Sequence, residues 1–144
     1  MKTMKYLTLL CAVCALSLLN IDEAQAKKRP VPSIYMFGFS ASFSDSTIYF
    51  TDIQVVDSVW IDDKTKFLEH RNLYSQQLRD YLAASMQPNR VCVVMYALTK
   101  KEAEKQYLKM KRIYTNKKGA SPYDIRYLSE NDFRFTRVQH YDEE

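Results

Sequence analysis

Residues 91–98 form a nearly unbroken apolar run, Val91-Cys92-Val93-Val94-Met95-Tyr96-Ala97-Leu98. The length suits a strand, and the lack of alternation predicts a central strand buried on both faces. Thr99-Lys100-Lys101-Glu102 follows at once. This is a capping box, in which the Thr99 hydroxyl accepts from the Glu102 amide and the Glu102 carboxylate reaches back to the Thr99 amide. The helix it starts, 100–114, carries an apolar stripe of Ala103, Tyr107, Met110 and Tyr114. A second short run, 123–128, is expected to lie parallel to the first strand, joined to it by a right-handed crossover.

Upstream, 33–43 alternates. Tyr35, Phe37, Phe39, Ala41 and Phe43 share one face, and Ile34, Met36, Gly38, Ser40 and Ser42 share the other. That is a strand with one aromatic face. Ser44-Asp45-Ser46 is a turn cluster, and 47–56 completes a hairpin. Val59-Trp60-Ile61 extends the second strand past a break at Asp57-Ser58, and Asp62-Asp63-Lys64 ends it. Tyr74, Leu78 and Tyr81, with Leu82 beside them, predict a helix over 72–86. Asn72 is its expected N-cap, and Pro88 forbids its continuation. Gly119 is the expected positive-φ position in the loop 116–122, and 133–138 is a candidate final edge strand. The order β-β-α-β-α-β predicts an α+β two-layer sandwich: a mixed sheet of four or five strands with two helices on one face.

The start of the chain has a different pattern. Lys2 and Lys5 precede an uncharged apolar stretch, and Ala24-Gln25-Ala26 places small residues at a cleavage site. This predicts a signal peptide over 1–26, with no membrane span after cleavage. Leu10 before Cys11 and Val13 before Cys14 argue against a lipoprotein site. The expected destination is the periplasm, or secretion beyond it. Residues 27–32, basic and proline-bearing, predict a linker. A single α+β domain over 33–138 and an acidic, frayed tail over 139–144 complete the division. Cleavage removes two lysines, Asp22 and Glu23, so the net charge of +4 is unchanged and too mild to identify partners. It leaves Cys92 as the only cysteine, so the mature chain has no internal disulfide.

Candidate chemistry is sparse. Gly38-Phe39-Ser40-Ala41-Ser42 lacks the second glycine of a nucleophile elbow and lies within a strand. Cys92 falls inside the apolar run, where burial makes a thiol inert. With only two glycines, a glycine-rich phosphate loop is excluded. His70 adjoins Glu69. His140 precedes Asp142, Glu143 and Glu144, a weak donor set on a tail. These observations lead us to expect no catalytic residue, no cofactor site and no metal site. Asp52, Asp57, Asp62 and Asp63 are available for acid–base work if two of them face one cleft, but they read first as turn residues. Lys101, Lys105, Lys109 and Arg112 form a basic stripe opposite the apolar one. It reads as a solvated helix face, with an anion-binding surface as the sharper alternative.

Met36-Phe37-Gly38-Phe39-Ser40-Ala41-Ser42-Phe43, Tyr49-Phe50-Thr51-Asp52-Ile53-Gln54, Tyr107-Leu108-Lys109-Met110-Lys111 and Tyr123-Asp124-Ile125-Arg126-Tyr127-Leu128 together resemble a family of small exported proteins of Bacteroidota. The resemblance implies a Gram-negative cell envelope and carries over no functional residue. The expected function is a non-catalytic module binding an envelope protein or polymer, not nucleic acid. Two alternatives stand beside it. One is a small hydrolase-type enzyme using the carboxylates within 52–63. The other is an assembly subunit that pairs through a sheet edge. Oligomeric state is left open.

Overall fold

The computed structural model describes residues 27–115, 119 and 121–142. The expected signal peptide, 1–26, lies outside the described residues. The chain folds as β1 (Lys28–Ala41), β2 (Thr47–Thr51), β3 (Gln54–Asp62), α1 (Arg71–Ala84), β4 (Val91–Ala97), α2 (Lys100–Thr115) and β5 (Asp124–Leu128). Among the described residues it is an α+β fold with an open mixed sheet of five strands and two helices.

The long strand β1 is the hub. It pairs antiparallel with β3 along its first half and with β2 near its end. On its other side it pairs with β4. Met36 has both Gln54 and Tyr96 as partners, and Phe39 has both Phe50 and Val93. β2 and β3 therefore lie on the same side of β1, as one strand interrupted at Asp52-Ile53. β5 adds parallel to β2. It runs in the same direction as β4, as expected, but β1 and β2 separate the two.

Both faces of β1 are covered, by different helices. Met36 packs in a cluster with Ile34, Val56, Tyr74, Leu78, Leu82, Cys92 and Val94 on the α1 side. Phe37 meets Tyr107 of α2 edge-on at 5.2 Å, and Phe39 meets Tyr114 at 5.0 Å. Successive strand residues point to opposite faces. The two helices therefore lie on opposite faces, giving three layers where two were expected. The cause is visible in β1 itself: its non-aromatic face is as apolar as its aromatic one near Ile34 and Met36, and each face needs a cover.

Three further expectations are corrected. The run at Val91 is not the central strand. Among the described residues β4 pairs only with β1, its Cys92 and Val94 are buried on the α1 side, and Val91 and Val93 are exposed. Residues 27–32 are not a linker, since β1 begins at Lys28 and pairs Lys28, Arg29 and Pro30 with Asp62, Ile61 and Trp60. β4 covers β1 only from Tyr35 onward, so the prolines sit where the strand has a free edge and a missing N–H is tolerated. Phe43 lies beyond β1 in the turn and is fully exposed.

β3 runs unbroken through Asp57-Ser58, where a break was expected, and the interruption falls at Asp52-Ile53 instead. Buried positions run Gln54, Val56 and then Val59, Ile61, and Ser58 takes φ 55°. The burial phase changes by one residue at Ser58 while the register with β1 is kept, and both halves of β3 face the α1 core. The helix starts differ in kind. The Glu102 amide donates to Thr99 Oγ1 at 3.3 Å ahead of α2. The N-cap of α1 is His70, not Asn72, and its side chain makes no cap.

α1 comes close to the sheet at Gly38. A Cβ there would lie 2.6 Å from Leu78 Cδ2, 3.1 Å from Phe135 and 3.2 Å from Thr51. Gly38→Ala is expected to destabilise by about 1–3 kcal/mol through overpacking. Lys105→Ala, on the exposed face of α2, should cost less than about 0.5 kcal/mol. Denaturant melts check the pair. Equal effects would contradict this packing.

Candidate functional site

The chain leaves β5 through a turn in which Ser129 donates to Asp132 Oδ2 from both its amide and its hydroxyl. Residues 133–142 then cross the α1 side of the sheet as an extended strap. Phe133 and Phe135 are buried while Arg134 and Thr136 are exposed. That alternation is what predicted an edge strand over 133–138, but no strand forms. The strap lies over a face of the sheet, where no backbone edge is available, and side-chain amides bond it instead. Gln54 Nε2 donates to Phe133 O at 2.8 Å, and the Phe135 amide donates to Gln54 Oε1 at 2.8 Å. Gln77 of α1 repeats the pattern with both backbone groups of Thr136, at 2.8 and 2.9 Å. The Val138 amide donates to the Tyr74 hydroxyl at 3.1 Å. Each glutamine presents a donor and an acceptor, as a peptide group does. Desolvation pushes the Tyr74 phenol above its ordinary range and keeps it a neutral acceptor here.

The strap ends in a cluster of titratable groups. The His140 ring stacks on Trp60 at 3.8 Å and 15°. Its Nδ1 lies 2.6 Å from Glu69 Oε2 and its Nε2 lies 3.0 Å from Asp142 Oδ1. Glu69 Oε1 accepts from Lys28 Nζ at 2.7 Å. Burial disfavours the Glu69 anion, but hydrogen bonds from Lys28 and His140 outweigh it and hold the carboxyl below its usual range. Cavities of about 380 Å³ and 370 Å³ flank the cluster. The first is lined by Lys28, Asp62, Phe67, Glu69 and His70, and the second by Ser58, Trp60, Arg137 and His140.

Chemically the cluster is a fastening. Both imidazole nitrogens are engaged, so neither is open to take a proton from a substrate or to bind a cation. Among the described residues, no group of three His, Cys, Asp or Glu side chains could hold a metal ion. His140, expected on a frayed tail, is instead largely covered and pinned 71 residues away in sequence. Glu143 and Glu144 lie outside the described residues.

The carboxylates proposed for acid–base work do not form a pair. Asp52 accepts from the Glu130 amide at 3.4 Å. Asp62 accepts from the Lys64 and Thr65 amides at 2.9 and 2.7 Å. Its carboxyl is lowered, first by the Thr65 bond. Asp63 pairs with Arg29 at 2.8 Å and Lys66 at 3.6 Å. Asp57 is exposed on β3. Lys101, Lys105, Lys109 and Arg112 are all exposed on α2, as a solvated face requires.

Cys92 is buried, its Sγ 3.4 Å from Ser40 Oγ. Desolvation raises its thiol, the inert state expected from the sequence. Ser40, the serine of the elbow-like segment, accepts from Arg90 Nε at 3.1 Å. Arg90 also donates to Asp45 at 3.3 Å and to Thr47 O, and lies 4.9 Å over the Tyr49 ring. Its guanidinium closes the β1–β2 turn against the start of β4. Sequence reasoning missed Arg90, Gln54 and Gln77 alike. Gln54 and Arg90 are polar residues at positions where the strand pattern demands burial, and that was the available signal.

No protein-family model, no curated protein and no solved structure matches the chain.

Because the Glu69 carboxyl is depressed in the fold, its contribution is fully present above the ordinary glutamate range of about 4.3. It is lost as pH falls through the lower folded value. Glu69→Gln should therefore cost about 1 kcal/mol at neutral pH and converge with the parent in acid. Stability curves at several pH values check this. A gap that persists or widens in acid would contradict it.

Proposed function

We propose that the protein is a non-catalytic interaction module of the cell envelope that engages an apolar segment of a partner protein at the β4 side of its sheet. One observation carries the reading: α2 does not cover the whole face it packs on. Its apolar stripe docks on Phe37, Phe39 and Phe50. Val91 and Val93, registered opposite Ala41 and Phe39 on that face, are exposed. At the far end of β4, exposed Phe67 and Leu98 border a cavity of about 390 Å³ with Tyr96, Glu102 and Gln106. Gln106 Oε1 is buried there without a hydrogen-bond partner. Apolar patches flanked by polar groups are typical of protein contact sites.

The hydrolase alternative loses support, because each carboxylate within 52–63 serves its own turn or ion pair or stands exposed. Strand addition at β4 is disfavoured as well. Arg71 Nε and Nη2 both donate to Val94 O, at 3.1 and 2.7 Å, and a capped edge carbonyl blunts edge pairing. The module would therefore bind through its open face. No described helix is long and apolar enough to cross a membrane. Export to the periplasm remains part of the proposal, resting on the leader pattern at 1–26 and on the resemblance to exported Bacteroidota proteins.

A photo-crosslinking residue at Val93 should give a discrete adduct in intact cells, and one at Lys105 should not. Val91→Lys with Val93→Lys should abolish capture of that partner by the parent surface while leaving the fold intact. An absent adduct at Val93, or an equal one at Lys105, would contradict the reading.

A further inference from the structure

Three strands of the sheet have an outer edge, and two of those edges are blunted. On β4, Arg71 caps the Val94 carbonyl. On β3, the Asp62 amide donates to Phe67 O and the Glu69 amide donates to Trp60 O, at 2.9 Å each. β5 is the third. It pairs with β2 in continuous register from Thr47 and Asp124 to Thr51 and Leu128. The Asp124 amide donates to Ser46 O, and Leu128 O accepts from the Asp52 amide. Successive residues turn their peptide groups to opposite edges of a strand. Asp124, Arg126 and Leu128 therefore turn theirs to β2, and Ile125 and Tyr127 turn theirs outward. Among the described residues nothing pairs with those outward N–H and C=O groups. β5 has no proline, lysine or bulge of the kind that discourages pairing at an edge.

The side chains of this edge are complementary to themselves. Asp124 and Arg126 lie on one face of β5, both exposed and 3.0 Å apart. Tyr123 and Tyr127, also exposed, flank Ile125 on the other face. A second copy of the strand, antiparallel and related by a two-fold axis at Ile125, sets the Asp124 of each copy against the Arg126 of the other. It also sets Tyr123 against Tyr127, and Pro122 against Leu128. The outward groups of Ile125 then meet their own copies. Pro122 is in phase with Asp124, turned away from the new ladder, so its missing N–H costs nothing there. Moving the axis to Arg126 would set two arginines directly opposite, which is destabilising, whereas cross-strand pairs of opposite charge are favourable.

We propose that the protein forms a two-fold dimer through β5, in this register, so that the sheets of two copies join into one. The pairing is isologous: backbone groups at Ile125 and Tyr127 supply the ladder, and the alternating Asp124 and Arg126 charges select the register. β4 lies on the far side of β1 and β2 from this edge. Val91 and Val93 stay open in the dimer, so the pairing is independent of the partner proposed for them.

Sedimentation equilibrium of the full chain, over a concentration series up to about 1 mM, should show a monomer–dimer equilibrium. Asp124→Arg alone and Arg126→Asp alone each set like charges opposite one another. Each should raise the dimer dissociation constant about tenfold or more. An equimolar mixture of the two variants restores every opposite-charge pair and should associate as the parent does. Ile125→Pro removes an N–H directed away from β2, so it should abolish the dimer and leave the β2 ladder in place. A parent that is monomeric at every concentration, a dimer that survives Ile125→Pro, or a mixture no tighter than either variant alone would overturn the proposal.

Discussion

At Gly38 the backbone of β1 has no side chain, and Leu78 of α1 and Phe135 of the strap fill the space a Cβ would take. The Gly38 amide donates to Thr51 Oγ1 at 2.8 Å in the same pocket. One position thus sets how closely the helix, the interrupted β2–β3 strand and the strap approach the sheet. The opposite face of the same strand carries Phe37 and Phe39 into α2. Each fully buried large side chain of this kind contributes about 1.5–3 kcal/mol. β1 therefore belongs to two cores at once, and the helices cannot share a face without exposing one of them.

The close approach also decides what the last part of the chain can do. A strand must lie at an edge to find backbone partners, whereas the strap lies across a covered face. Its buried backbone groups still need partners, because each one left unpaired costs about 1–3 kcal/mol. Gln54 meets that need at Phe133 and Phe135 with an amide group that copies a neighbouring strand, and Gln77 makes the same pair of bonds to the exposed Thr136. The same arrangement turns a terminal segment into a closure for the α1-side core and carries His140 onto Trp60. Among the described residues the other side of the sheet has no equivalent closure, and Val91 and Val93 are exposed there. The asymmetry of the molecule, one face sealed by a strap and the other partly bare, underlies its proposed role in binding.

Local patterns in the chain were legible where one periodicity governed them. The α2 stripe, the β1–β2 hairpin, the buried Cys92 and the positive φ of Gly119 all follow from spacing or residue type. The layer arrangement was not legible, because it depends on both faces of β1 together, and alternation shows each face only by itself. The apolar run at Val91 looked central because its exposed and buried positions carry the same residue type. The site was hidden for a related reason: Glu69, His140 and Lys28 are far apart in sequence and meet only through the strap. An isolated glutamine pattern gives no warning that its amide will serve as a backbone partner.

The central claim is that side-chain amides replace a strand in holding residues 133–138. Native-state hydrogen exchange, resolved by residue, tests it most directly. The Phe135 and Thr136 amides, donated to Gln54 and Gln77, should be protected well above unstructured chain, and Gln54→Ala should release Phe135 while β1 amides stay slow. Exchange of both amides at the rate of unstructured chain in the parent protein would contradict the account.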